Sequence, residues 1–186
     1  MIKDSSESVK KFVITGGPCS GKTTLVSMLG SMGYDVMPEM AETIINEQLE
    51  SGGDLVPWNE SRRIEFQAEL FERQSDAENN IAQDGLYFLD RAVPDGIAYC
   101  LFDGIKPLSG LLDTAQRGEY ATVFLLGQVP VFENSAVRRE DADAALKLSY
   151  FLGNVYRSLG YDVVDVASMD SPLERAEFIL GKVREF

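Results

Sequence analysis

Lys11-Phe12-Val13-Ile14-Thr15-Gly16-Gly17-Pro18-Cys19-Ser20-Gly21-Lys22-Thr23-Thr24 is the stretch that decides the fold. Its first five residues read as a short buried strand, and Gly16-Gly17-Pro18 is a turn signal. Gly16 to Thr23 fits G-x-x-x-x-G-K-[ST], the phosphate-binding loop. The spacing has a physical basis. Glycines let backbone N–H groups turn inward and come close to phosphate oxygens. The helix that opens at the end of the loop adds its positive dipole end. Lys22 then reaches the β- and γ-phosphates, and the Thr23 hydroxyl ligates magnesium. At average residue usage the four fixed positions match by chance in roughly one chain per hundred of this size. Here the match also follows a strand and opens a helix, as the mechanism requires. The residues expected to bind nucleotide are Gly16, Gly17, Pro18, Cys19, Ser20, Gly21, Lys22, Thr23 and Thr24.

Working outward, apolar runs alternate with helical patterns. A helix is expected over Gly21–Met32 with Leu25, Met28, Leu29 and Met32 on one face, a strand over Tyr34–Met37, and a helix over Glu39–Leu49. After a loop over Asp54–Asn59, Glu60–Ala82 reads as one long helix with Ile64, Ala68, Phe71 and Ala82 near one stripe. Leu86–Leu89 reads as a strand, Asp95–Gly118 as two short helical pieces, and Ala121–Leu126 as the clearest strand of the chain. Gly127–Val137 reads as irregular, Asp141–Leu159 as a helix, Tyr161–Val166 as a strand and Pro172–Glu185 as a closing helix. The strands are continuous apolar runs rather than alternating ones, the mark of a parallel sheet covered on both faces. The expected architecture is therefore α/β, a P-loop NTPase fold with a parallel five-stranded sheet between helices. It forms one domain over residues 1–186, with residues 1–10 as an unstructured lead-in and 127–140 as a lid-like loop.

Composition narrows the chemistry. With 186 residues, 45% hydrophobic and 25% charged, the chain can bury a core of its own. A net charge of −13 repels phosphate backbones and anionic lipid, so neither nucleic acid nor a membrane is expected as a partner. Histidine is absent. That excludes Ser-His-Asp and Cys-His hydrolysis and histidine-bearing zinc sites, and leaves general-base work to a carboxylate, a lysine, a tyrosine or a cysteine. Two cysteines, Cys19 and Cys100, form no disulfide framework and suit a reducing compartment. Without a signal-like apolar run, a lipidation box or a spanning stretch, the expected setting is cytoplasmic.

Further candidates lie at strand ends, where doubly wound sheets bind ligands. Asp90 ends the third strand, at the position of a magnesium-holding carboxylate; the plainer reading is a turn-capping aspartate. Arg91 follows and suits phosphoryl oxygens. Asp95 reads as a helix cap or as an acceptor-binding carboxylate. Glu39 follows the second strand and reads equally as the base for an attacking hydroxyl or as a first-turn helix glutamate. Arg138 and Arg139 read as solvated loop residues or as lid arginines that neutralise transition-state charge. Cys19 reads as small filler in the loop, and Trp58 as loop packing.

Gly16-Gly-Pro-Cys-Ser-Gly-Lys-Thr-Thr24, Pro38-Glu39, Leu89-Asp90-Arg91 with Asp95, and Val137-Arg138-Arg139-Glu140 occur in that order. The set resembles the family of small AAA-type predicted ATPases with a nucleoside-kinase-like P-loop fold. That family is similar to nicotinamide-riboside kinases and TRPL-translocation-defect proteins. The resemblance spans roughly Lys11 to Leu180. A looser likeness to deoxynucleoside kinases implies that Glu39 is the catalytic base and that Arg91 contacts the acceptor end. No motif for a nucleobase, nicotinamide or ribose accompanies it. The expectation is a magnesium-dependent ATP- or GTP-binding kinase acting on a small hydroxyl acceptor, with Lys22, Glu39, Arg91, Arg138 and Arg139 as catalytic residues, Thr23 and Asp90 at the metal, and Asp95 at the acceptor. The alternatives are an NTPase switch that uses water, and a nucleotide-gated binding module for protein or lipid.

Overall fold

The computed structural model describes residues 9–82, 84–129 and 142–186. Five parallel strands form one sheet: β1 (Lys10–Gly16), β2 (Asp35–Met37), β3 (Leu86–Asp90), β4 (Tyr120–Leu126) and β5 (Val163–Val166), in the order β2-β3-β1-β4-β5. The helices are α1 (Lys22–Ser31), α2 (Met40–Ser51), α3 (Arg63–Asn79), α4 (Val93–Phe102), α5 (Leu111–Gln116), α6 (Ala142–Ser158) and α7 (Pro172–Val183). The parallel α/β architecture is the one the apolar strand runs imply.

Successive side chains on a strand point to opposite faces, and both faces here are covered. Phe12 and Ile14 of β1 join Leu25 and Leu29 of α1 and Ile179 and Val183 of α7 in one core. Val13 faces the other way, with Leu89, Val123 and Tyr156 of α6. Thr15 lies on that second face. It is buried, and its hydroxyl donates to Asp95 Oδ1 at 2.6 Å, which is why a polar residue is tolerated in the central strand.

Several expected boundaries shift. The helix expected from Glu60 opens as a 3₁₀ turn at Glu60–Arg62, and α3 ends at Asn79. Of its expected apolar stripe only Phe71 packs against the core; Ala68 and Ala82 are exposed. Ile64 is 59% exposed, whereas α3 buries Phe66, Gln67, Gln74 and Glu78. Polar residues face inward because they are bonded there: Gln74 Nε2 donates to Glu78 Oε1, and Glu78 accepts from the Val93 N–H and the Tyr120 hydroxyl. Helix α4 starts two residues before Asp95 because Pro94 fits a first helical turn. Trp58 does not pack into its loop; it is half exposed, and Val56 is the residue buried there.

Register sets the positions of the site residues. Ile14 of β1 pairs with Asp90 of β3, and Met37 of β2 pairs with Leu89. The residues leaving these strands, Gly16, Glu39 and Arg91, therefore emerge side by side at one edge of the sheet.

Candidate active site at the carboxyl edge of the sheet

The loop between β1 and α1 needs its glycines for space. A Cβ on Gly16 would stand 2.9 Å from the Leu126 carbonyl oxygen, and one on Gly17 would stand 2.6 Å from that of Ala145 on α6. Cys19 (φ 58) and Gly21 (φ 77) take left-handed conformations, which turn successive N–H groups into a concave nest for an anion. Gly21 is the N-cap of α1, and no acidic residue lies in that helix's first turn to neutralise its positive end. Pro18 is buried and Cys19 half-buried, with the Cys19 carbonyl accepting from the Val129 N–H at 3.2 Å. Thr23 and Thr24, in the first turn of α1, are exposed, while Lys22 is buried.

Lys22 Nζ donates to Glu39 Oε2 at 2.5 Å and lies 2.6 Å from Asp90 Oδ1. Arg91 Nε donates to Glu39 Oε1 at 3.2 Å, and Arg91 Nη1 donates to Asp95 Oδ1 at 3.1 Å. Five residues singled out in the sequence thus meet in one charge cluster: Lys22 of α1, Glu39, Asp90 and Arg91 at the ends of β2 and β3, and Asp95 of α4. Glu39 sits at the N-cap of α2 yet makes no capping bond there. Its carboxylate is turned across the sheet edge to the two cations instead of into its own helix. Arg91 carries a positive φ (70), a strained conformation for a non-glycine residue, of the kind that persists at sites where surroundings enforce it. Its N–H donates to the Ile14 carbonyl at 3.0 Å, and its guanidinium stands 5.1 Å from the centre of the Tyr99 ring.

The electrostatics follow the burial and the pairing. Burial pushes the Glu39 carboxyl up, but the charges of Arg91 and Lys22 outweigh it and hold the group at about 2. Burial raises Asp90, and the neighbouring Glu39 adds to that against the pull of Lys22. Arg91 is held well above its ordinary range: burial opposes the charge, and Tyr99, Glu39, Asp95 and Asp90 overcome it.

Of the two readings offered for Asp95, the structure displays the helix cap. Its carboxylate accepts from the Ala92 N–H at 3.1 Å, capping α4 from within, and also from Thr15, Arg91 and the Tyr156 hydroxyl. Four donors fill the four lone-pair directions of a carboxylate, so none is left for an acceptor hydroxyl in this arrangement. The role seen is that of a cap and an anchor for Arg91. Arg138 and Arg139 lie outside the described residues, as does most of the expected lid.

Magnesium fits the donors present. Asp90 Oδ1 is buried with Lys22 Nζ 2.6 Å away as its charge partner, and the Thr23 hydroxyl is open to solvent. One carboxylate and one hydroxyl are what magnesium asks of a protein when phosphate oxygens and water complete its shell. Among the described residues no group of three or more Cys, Asp or Glu is placed to cage a metal. No helix among them is long and apolar enough to cross a membrane.

Sequence reasoning missed Thr15, Tyr99 and Tyr156. Tyr99 had a signal, since it lies four residues beyond Asp95 on one helix face, which puts both beside Arg91. Thr15 and Tyr156 reach Asp95 across 80 and 61 residues of chain, and no local pattern announces that.

Five parallel strands in the order β2-β3-β1-β4-β5, with a glycine-rich loop leading from β1 into α1, make an α/β fold of the P-loop type. Comparison with known proteins agrees. The family model described as "AAA domain" matches residues 11–174, and the chain belongs to that family. No curated protein matches the sequence. Among solved structures, the fold is similar to thymidylate kinase from Ehrlichia chaffeensis, at 13% identity and a TM-score of 0.68 over 95% of this chain and 99% of that one. It is similar to deoxyadenosine kinase from M. mycoides, solved with the products dCMP and dCDP, at 13% identity and a TM-score of 0.61 over 95% of this chain and 100% of that one. It is also similar to NadR protein in complex with NR, at 18% identity and a TM-score of 0.74, over 97% of this chain but 52% of that longer chain. At such identities the likeness is one of fold.

Proposed function

We propose that this protein is a magnesium-dependent kinase that moves the γ-phosphoryl group of ATP or GTP to the hydroxyl of a small, nucleoside-like acceptor. The observation that carries the reading is Glu39. It leaves its own helix uncapped and bridges Lys22 and Arg91 at the carboxyl edge of the sheet. A thymidylate kinase and a deoxyadenosine kinase share this fold, which supports the same reaction class.

Each residue then has a task. The N–H groups of the Gly16–Gly21 loop and the N-terminus of α1 hold the polyphosphate, and Lys22 neutralises its β and γ oxygens. Thr23 and Asp90 would hold magnesium, which when bound neutralises phosphate charge. Arg91 faces the acceptor end, and Arg138 and Arg139 are the sequence's candidates for further positive charge. Glu39 takes the acceptor's proton. A carboxylate held at about 2 is a poor base. When Lys22 moves to the phosphates, one of the two cations that hold it there is gone, so nucleotide binding raises its basicity at the step that needs it. The acidity of the chain as a whole disfavours nucleic acid and anionic membrane as partners.

The test is a transfer screen with γ-labelled ATP or GTP, magnesium, and a panel of nucleosides, ribosides and other small alcohols. Label on an acceptor is the expected result. Release of inorganic phosphate alone, at the same rate with and without the panel, would replace the kinase with a nucleotide hydrolase.

A further inference from the structure

Arg175, on α7, is 3% exposed and has no carboxylate partner among the described residues. Burial lowers the pKa of such a group, so the fold bears a cost in keeping it charged. What it receives in return is three backbone carbonyls from three segments. Nε donates to Ala167, just past β5, at 3.1 Å; Nη2 donates to Gly127, just past β4, at 2.9 Å; and Nη1 donates to Ser20 in the phosphate loop. A planar fork of donors is the side chain suited to such a junction.

The Ser20 contact matters most. The Ser20–Gly21 peptide is planar and trans, so its carbonyl and its N–H point in opposite directions. With the Ser20 carbonyl held by Arg175, the Gly21 N–H is turned away from the guanidinium. Gly21 is close to the guanidinium: a Cβ on it would lie 3.5 Å from Arg175 Nη1. The same junction is stitched further by Gly127 N–H to the Val166 carbonyl at 2.8 Å and by Val129 N–H to the Cys19 carbonyl.

We infer that Arg175 is a positioning residue for the nucleotide. It locks the Ser20–Gly21 peptide in its anion-binding orientation, ties the phosphate loop to the exits of β4 and β5, and adds behind the loop a positive charge that no carboxylate among the described residues pairs. The inference rests on the reading of the loop as a nucleotide site.

The test compares wild type with Arg175→Lys, which keeps the charge and loses the planar fork, and with Ile179→Ala. The latter weakens the same helix in its core without touching the three carbonyls. Three quantities are measured: affinity for Mg-ATP and Mg-GTP, melting temperature, and hydrogen exchange of residues 16–25 without nucleotide. Arg175→Lys is expected to lose roughly tenfold to a hundredfold in triphosphate affinity, the range carried by a charge-assisted hydrogen bond. It should also exchange faster across the loop. Ile179→Ala should melt lower with wild-type affinity. Affinity in Arg175→Lys within threefold of wild type, or an equal loss in Ile179→Ala for an equal fall in melting temperature, overturns the inference. A wild type that binds neither nucleotide overturns it together with the nucleotide reading, whereas a loosened loop with unchanged affinity overturns it alone. Should Arg175→Lys not fold, Arg175→Gln takes its place under the same criteria.

Discussion

Replacing Glu39 by Gln keeps the size of the side chain and removes its basicity and charge. If Glu39 accepts the proton of the acceptor hydroxyl, turnover should fall by about 10²–10⁴-fold. Stability should fall as well. Removing one partner of a buried pair costs about 3–5 kcal/mol when the other is stranded. Here Lys22 keeps Asp90 at 2.6 Å and Arg91 keeps Asp95 at 3.1 Å. The expected cost is therefore about 1–3 kcal/mol, near that of a lost charge-assisted bond. At about 2–4 °C per kcal/mol for a chain of this length, the melting temperature should drop by about 2–12 °C. The drop should shrink with nucleotide bound, because the phosphates then engage Lys22. Triphosphate affinity should hold or improve, since Lys22 no longer has to leave Glu39. The pH dependence carries the same signature. Glu39 is depressed from 4.5 to about 2, so its contribution is present above pH 4.5 and is lost as pH falls toward 2. That contribution is on the order of 3 kcal/mol, and it should be missing from the acid limb of Glu39→Gln. The assay is turnover on the acceptor found by the screen, with nucleotide titration and acid and thermal unfolding of the same protein. Turnover within threefold of wild type, with the stability loss as stated, would refute Glu39 as the base.

Asp90→Asn should weaken the magnesium dependence of nucleotide binding, shifting a magnesium titration to higher concentration; overlaid curves would leave Asp90 as a partner of Lys22 only. Asp95→Asn should lower stability by about 2–3 kcal/mol, because four bonds meet on that carboxylate. A normal melting curve with a raised KM for the acceptor would return Asp95 to the acceptor site. Cys19 is half-buried within the loop, and bound Mg-nucleotide should slow its reaction with thiol reagents; equal labelling rates would place the thiol away from the phosphates.

The sheet was legible because its strands are apolar runs, and the loop because its spacing is constrained by chemistry. Glu39, Asp90 and Arg91 were legible for one reason: in a parallel sheet the residue after each strand lands on the same edge. What the sequence hid is the second layer. Helix α3 looks amphipathic by its apolar residues, yet buries Gln74 and Glu78. Their partners, Tyr120 and the N-terminus of α4, are distant in sequence or have no side-chain signal. Asp95 showed its capping role through Pro94 but not its bonds to Thr15 and Tyr156. Arg175 was invisible as a site residue, because all three of its partners are backbone carbonyls, which carry no residue identity.

The most direct measurement is a calorimetric titration of the wild-type protein and of Lys22→Ala with Mg-ATP and Mg-GTP. Saturable binding of at least one triphosphate by the wild type, lost in a folded Lys22→Ala, is the predicted result. A folded Lys22→Ala that binds as tightly as wild type, or a wild type that binds neither, would contradict the account.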